Sequence, residues 1–219
     1  MRVWQTIPPP LIGRHVHTRA YAALVMSGYY EEAGDSGRHR VQAGNVVFHD
    51  AFEAHLDRIP MPGAVVLNVL LPARYAFRSG VGRVEDPDAI VRLMEKGDSE
   101  AAALLVSSAE LREPEFQDWP DELAASMAQN ASVNLSAWGE AKGISAWDQS
   151  RGFAQVFGVS PCAFRARART RQAWRAIRTA STPLSAIAAQ LGFSDQAHMT
   201  RSVKTMTGRC PSAWRSSCK

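Results

Sequence analysis

The apolar positions of this 219-residue chain follow two different rhythms. Up to about residue 80 they come in short runs cut by glycine. "YAALVMSGYYEE" is one such run, interrupted by Gly28. "GDSGRHRVQAGNVVFHD" holds short pieces punctuated by Gly34, Gly37 and Gly44, and "AVVLNVLLP" is a continuous apolar run closed by Pro72. Short strands between glycine turns predict a small all-β sandwich or barrel. From about residue 86 the spacing becomes helical. "DPDAIVRLMEKG" opens on acids and a proline and sets Ile90, Leu93 and Met94 at helical intervals before Gly97. "DSEAAALLVSSAEL" continues in good helix formers. The faces of these two helices suit either an interface between chains or a core. Residues 121–219 read as helix throughout, and the domain boundary is expected near residues 115–134.

Two rear segments repeat each other: "GISAWDQSRGFAQVFGVSPCAFR" (143–165) and "GFSDQAHMTRSVKTMTGRCPSAWR" (192–215). Gly143 and Ser145 match Gly192 and Ser194 at an offset of 49; Arg151, Gly158, Pro161 and Arg165 match Arg201, Gly208, Pro211 and Arg215 at 50. One residue inserted near the start of the second helix of the later unit accounts for the difference. Repeats at this period point to duplicated supersecondary units, here helix-turn-helices. In the second, Leu184, Ile187, Ala188 and Leu191 make one buried face, Gly192 ends that helix, Phe193 plugs the corner and Ser194 caps the next helix. Met199, Val203 and Met206 form its inner side, leaving Gln196, Ala197, His198, Thr200 and Arg201 outward or at the edge. The first unit is built from Leu135, Trp138 and Ala141, a Gly143-Ile144-Ser145 turn, and Phe153, Val156 and Phe157. Trp147, Asp148, Ser150 and Arg151 lie outward there. Gly139 and Gly152 weaken its helices by roughly 1 kcal/mol each, and Gln149 stands where the second unit has Met199, so the first unit is expected to be the less stable. Between the two, Ser160 caps and Pro161 starts a helix running to about Ala180. Some 20 residues span about 30 Å, close to the ~34 Å turn of B-DNA. Arg167, Arg171, Arg175 and Arg178 form a stripe on this spacer, read for the most part as a solvated face.

Charge divides the chain the same way. Residues 137–219 carry 13 Lys+Arg against 3 Asp+Glu, whereas residues 1–136 carry 12 against 18. A basic rear module suits a polyanion. With 46% hydrophobic residues the chain can bury a core, which argues against disorder. It has no run of 18 apolar residues, and its first residues lack the apolar centre of a secretion signal. Cys162, Cys210 and Cys218 give neither a disulfide framework nor a metal-type Cys pair, so a cytoplasmic location and no membrane partner are expected.

The stretch "PLSAIAAQLGFSDQAHMTRSVKTMTGRCPSAWR" resembles the C-terminal signature of the AraC/XylS transcription regulators, and "LSAWGEAKGISAWDQSRGFAQVFGVSPCAFRARAR" resembles their first helix-turn-helix. The resemblance covers roughly residues 131–217. It departs from the family at Val203, Gln149 and Gly152. It implies a DNA-binding module whose reading helices offer Trp147, Ser150 and Arg151 in the first unit, and Gln196, Ala197, His198, Thr200 and Arg201 in the second. The side-chain chemistry agrees: Arg can bind guanine O6/N7 and Gln adenine N6/N7 through two bonds each. For the arginines the alternative is an ion pair within the module, and for His198 a partly buried spacer role. The helix starts at Ser145 and Ser194 offer N–H groups to phosphates.

Five of the six histidines, His15, His17, His39, His49 and His55, lie in the front part. "HVH" and "AGNVVFHDAFEAH" resemble the two motifs of a cupin barrel, in which histidines converge on a metal. The acid of the first motif is absent, Ala20 and Tyr21 standing in its place. The resemblance implies a divalent transition metal on His15, His17 and His55, with His49 as a fourth donor; the alternative is a metal-free barrel. The expected fold is therefore α+β: a small cupin-like barrel (1–82), a helical connector (83–130) and an all-α module with two helix-turn-helix motifs joined by a long helix (131–219). The expected function is a sequence-specific transcriptional regulator whose reading helices enter successive major grooves of double-stranded DNA. Its barrel senses a small-molecule effector or a metal, or mediates homodimerisation. A metal-dependent cupin enzyme with a basic accessory domain is the alternative, disfavoured because no nucleophile or acid–base pair stands out.

Overall fold

The computed structural model describes residues 3–72, 78–113 and 115–216; Cys218 lies outside them. It divides into two compact units, Met1–Asp121 and Glu122–Lys219. The front unit runs β1 (Trp4–Ile7), β2 (Leu11–Val16), β3 (Tyr21–Gly34), β4 (Gly37–Gln42), β5 (Asn45–His49), β6 (Ala54–Arg58), β7 (Ala64–Leu70), β8 (Gly80–Arg83), α1 (Pro87–Glu95), α2 (Ser99–Ser107) and β9 (Glu110–Leu111). Every pairing is antiparallel.

The long strand β3 organises this unit. Its first half pairs with β5 and β7; its second half pairs with β4 and β6. Gly28 does not interrupt the strand, as its sequence suggests, but sits where β3 passes from one set of partners to the other, just after a register shift between Val25 and Ser27. Its φ of 74° and the Gly63 carbonyl oxygen, 2.0 Å from where a Cβ would stand, leave no room for a side chain. Alternation along the strand then feeds two cores. Tyr21, Ala23 and Val25 face the barrel interior with Ile7, Tyr30, Val41, Val47 and Val66. Ala22 and Leu24 face outward, where Ile90 of α1 and Ala102, Ala103 and Val106 of α2 cover them. The helices in the stretch expected to be a connector are thus part of the front unit's core: the sheet is apolar on both faces, and α1 and α2 pack on the outer one.

The rear unit holds α3 (Trp119–Gln129, starting just before the boundary), α4 (Leu135–Lys142), α5 (Ala146–Phe157), α6 (Pro161–Thr179), α7 (Leu184–Gln190), α8 (Gln196–Thr207) and α9 (Pro211–Ser216). The spacer α6 has 19 residues, about 28 Å, and its cap is Ser160, as expected. Phe164 near its start packs against Phe153 and Phe157 of α5. Ala173 and Ile177 nearer its end pack with Ile187, Ala188, Phe193, Met199 and Val203. The arginine stripe is not a solvated face throughout: Arg175 is exposed, but Arg171 is 6% exposed, and Arg178 lies over the Trp174 ring.

Two features of the first repeat differ from their sequence reading. Ala141 is exposed, and Gly139 is buried in its place. A Cβ on Gly139 would come within 3.0 Å of the Ile144 carbonyl oxygen and 3.2 Å of Gln149 Nε2, so the glycine permits close packing of α4 on the turn and on α5. Gln149 itself is buried but not wasted; its Nε2 donates to the Leu135 carbonyl at 3.0 Å. Gly139→Ala is therefore expected to destabilise the chain by about 1–2 kcal/mol, despite the higher helix propensity of Ala. Urea denaturation followed by circular dichroism measures it, and a gain in stability would contradict this packing.

Candidate nucleic-acid interface and histidine cluster

The reading helices are held by matching devices. Ser145 caps α5, its hydroxyl accepting from the Asp148 N–H at 3.1 Å. In α8 the cap is not Ser194 but Asp195, whose carboxylate accepts from the His198 N–H at 2.6 Å. Asp195 thus matches Ser145 at an offset of 50, and the inserted residue of the second repeat lies in the turn, not in the helix. A carboxylate at the positive end of a helix is favourable; it also takes an N–H that would otherwise be open to a phosphate. Ser194 instead bonds His198 Nδ1 at 3.0 Å.

Each helix pair is also bolted at its entry. Arg165 Nη1 donates to the Val133 carbonyl at 2.6 Å, just before α4, and Arg215 Nη2 donates to the Thr182 carbonyl at 2.7 Å, just before α7. These repeat-related arginines are structural.

With the inner faces buried, what remains outward on α5 is Trp147, Ser150 and Arg151, all exposed. On α8, Gln196, Ala197 and Arg201 are exposed, and His198 and Thr200 are half-buried. The His198 ring meets Phe193 edge-on at 5.2 Å, so His198 is the most constrained of the set. Arg151 lies over the Trp147 ring at 4.9 Å, an arrangement that limits its rotamers while its N–H edge stays free. Among the described residues neither Arg151 nor Arg201 is in an ion pair, which removes the alternative of an internal salt bridge.

In the front unit, strand register gathers the histidines. A shift in the β2–β6 pairing between Ile12 and His15 lets both residues line one cavity, with His17 two places on. His15 pairs with His55 across β2–β6, and Tyr21 pairs with His49 across β3–β5. Glu32 pairs with Asp57 across β3–β6, two residues along from the Gly34–His55 pair and so on the same face. The result is a cavity of about 50 Å³ lined by His15, His17, Glu32, His49, His55 and Asp57 among others. His15 Nε2 is 3.1 Å from His17 Nε2, and His49 Nε2 is 3.5 Å from Glu32 Oε2. Burial, then the His15 charge, lowers the His17 pKa to about 4; burial and the neighbouring histidines hold His55 well below its ordinary value. Both imidazoles are thereby neutral near pH 7. Burial, with Asp57 and Glu53 nearby, pushes Glu32 far up, and burial raises Asp57 to about 7. All four histidines expected as donors are brought together. Glu32 was not foreseen, because only the β3–β6 register brings it beside His55. His39 is buried but lies outside this set.

Two capped helix pairs on one spine, each presenting an exposed polar helix, form a double helix-turn-helix. Residues 138–217 match the family profile described as a helix-turn-helix domain. Among solved structures, the chain is similar to a probable AraC family transcriptional regulator from Rhodopseudomonas palustris CGA009 (25% identity, 44% of this chain and 94% of that one, TM-score 0.41). It is also similar to the C-terminal domain of AraT, a response regulator from Geobacillus stearothermophilus (18%, 47% and 88%, 0.43). Over nearly its whole length it is similar to unsaturated fatty acid bound wild-type ToxT from Vibrio cholerae strain SCE256 (9%, 97% and 94%, 0.44). Comparison with curated proteins gives no match. Among the described residues no helix is long and apolar enough to cross a membrane.

Proposed function

We propose that the protein is a sequence-specific transcriptional regulator in which α5 and α8 enter successive major grooves on one side of the duplex. The observation that carries this reading is the equivalence of Arg151 and Arg201. They occupy the same turn of two capped, repeat-related helices, and both are exposed. The spacer α6, at about 28 Å, is of the length that one turn of B-DNA asks for. The front barrel, on this reading, takes up a ligand rather than turning over a substrate, and the protein acts in the cytoplasm. Trp4 on β1 and Leu11 on β2, 45% and 56% exposed, support a further role for the barrel in pairing two chains.

Selection of bound duplexes from a random pool, with the full chain, tests the proposal. Enrichment of two short boxes about 10–10.5 base pairs apart is expected. No enriched sequence, or a single box with no preferred spacing, would overturn it.

A further inference from the structure

The cavity inside the barrel points to the ligand. We propose that His15, His17, His49, His55 and Glu32 bind one divalent transition-metal ion, so that what the front unit takes up is the ion itself. The inference rests on the reading of that unit as the ligand-binding part of the protein, and it names the class of ligand.

Convergence is the first ground. Donor atoms of His15, His17 and His55 lie within 4.8 Å of one another, and so do those of Glu32, His49 and His55. His55 belongs to both groups, so the five side chains surround one small volume. Donors held 2.0–2.2 Å from a shared ion stand about 3–4 Å apart, the scale of the His15–His17 and His49–Glu32 separations already given. Neighbouring rings fix the imidazoles: Tyr21 stacks on His49 at 4.6 Å and meets His17 edge-on at 4.7 Å.

Unmet bonding capacity is the second ground. Glu32 Oε1 and His55 Nδ1 are buried without a hydrogen-bond partner, in residues only 1% and 3% exposed. A buried polar atom without a partner is costly, and two around one cavity call for a guest that accepts lone pairs. Size then discriminates between guests. Organic effectors occupy pockets of about 300–1,000 Å³, whereas this cavity of about 50 Å³ holds an ion and a water-sized ligand. A larger cavity of about 520 Å³ lies elsewhere, by Arg83, Asp86, Leu105 and Glu110, and brings together no histidines. Four imidazoles and one carboxylate suit Zn²⁺, Fe²⁺, Co²⁺ or Ni²⁺; Mg²⁺ and Ca²⁺ prefer oxygen donors, and Cu⁺ prefers sulfur. The carboxylate arrives from β3, fifteen residues beyond His17, and not from the segment directly after the His pair.

The full chain, stripped by chelator and dialysed, is titrated with Co²⁺ and followed by visible absorption, with Zn²⁺ competition. One equivalent per chain and a d–d band that Zn²⁺ removes are expected. His55→Ala and His15→Ala should each weaken binding on the order of 100-fold, and Glu32→Gln should weaken it and shift the Co²⁺ spectrum. His15 is half-buried, so its replacement tests the centre even if the His55 variant fails to fold. Absence of stoichiometric uptake overturns the proposal, as does uptake that survives His15→Ala or is indifferent to Glu32→Gln. Duplex selection by the same preparation separates the two readings: enrichment without metal uptake leaves the regulator standing and removes the metal, and the converse removes the regulator alone.

Discussion

Arg151→Ala and Arg201→Ala are each expected to weaken binding to the selected operator by about 5- to 150-fold, or about 1–3 kcal/mol, and to relax selectivity at one base pair in the corresponding box. A guanidinium that grips guanine O6 and N7 loses both bonds on truncation, and no other base offers the same pair of acceptors. The two sites belong to different repeats, each anchored to its own end of α6, so their effects should add within a few tenths of a kcal/mol. The double variant would then retain little beyond non-specific attraction. Fluorescence anisotropy against operator and scrambled duplexes, at one fixed salt concentration, provides the measurement. A loss equal on both duplexes would mean that these arginines meet phosphates and that sequence is read elsewhere. Arg151 has an additional control: Trp147→Ala removes the ring beneath it and should weaken the first box less than loss of the guanidinium does.

What the sequence discloses depends on how local each determinant is. The rear unit is legible because its signals act within a few residues. Ser160 caps and Pro161 starts α6 as expected, and Phe193 fills its corner at 7% exposure. Where two capping residues stand side by side, local sequence does not choose between them. Ser194 and Asp195 can both accept from a first-turn N–H, and only the backbone path shows that Asp195 does so. Gln149 and Gly139, which looked like defects, are partners in one tight contact between α4 and α5. The front unit hides more, because its determinants are pairings between distant strands. His15 and His17 are visible as a pattern, yet the place of Glu32 beside His55 is set by β3–β6 register, which no local spacing records. For the same reason α1 and α2, amphipathic in sequence, did not reveal which surface they cover until the outward residues Ala22 and Leu24 of β3 were in place.

Phe153→Ala is expected to cost about 3–5 kcal/mol, a large part of the roughly 5–15 kcal/mol that holds a domain together. The reason is how narrow the first repeat's core is. Phe153, Phe157 and Phe164 are at most 2% exposed, with ring centroids 4.6, 5.3 and 5.4 Å apart, and this trio joins α5 to the start of α6. Removing the Phe153 ring takes from Phe157 and Phe164 the contact each makes with it, and α5 cannot close the gap while Gln149 and Gly139 fix its distance from α4. The repeat-related residue in α8 is Val203, which shares its core with Met199, Ile187, Ala188, Phe193, Ala173 and Ile177. Val203→Ala should therefore cost less, about 1.5–3 kcal/mol. The contrast has a functional signature. Under mild denaturant the Phe153 variant should lose protection from hydrogen exchange in α5 before α8, and its footprint on the operator should shrink to the box read by α8. Equal loss in both helices, or a stability within 1 kcal/mol of the parent, would show that the two repeats melt as one body and that the aromatic trio is not what secures the first reading helix.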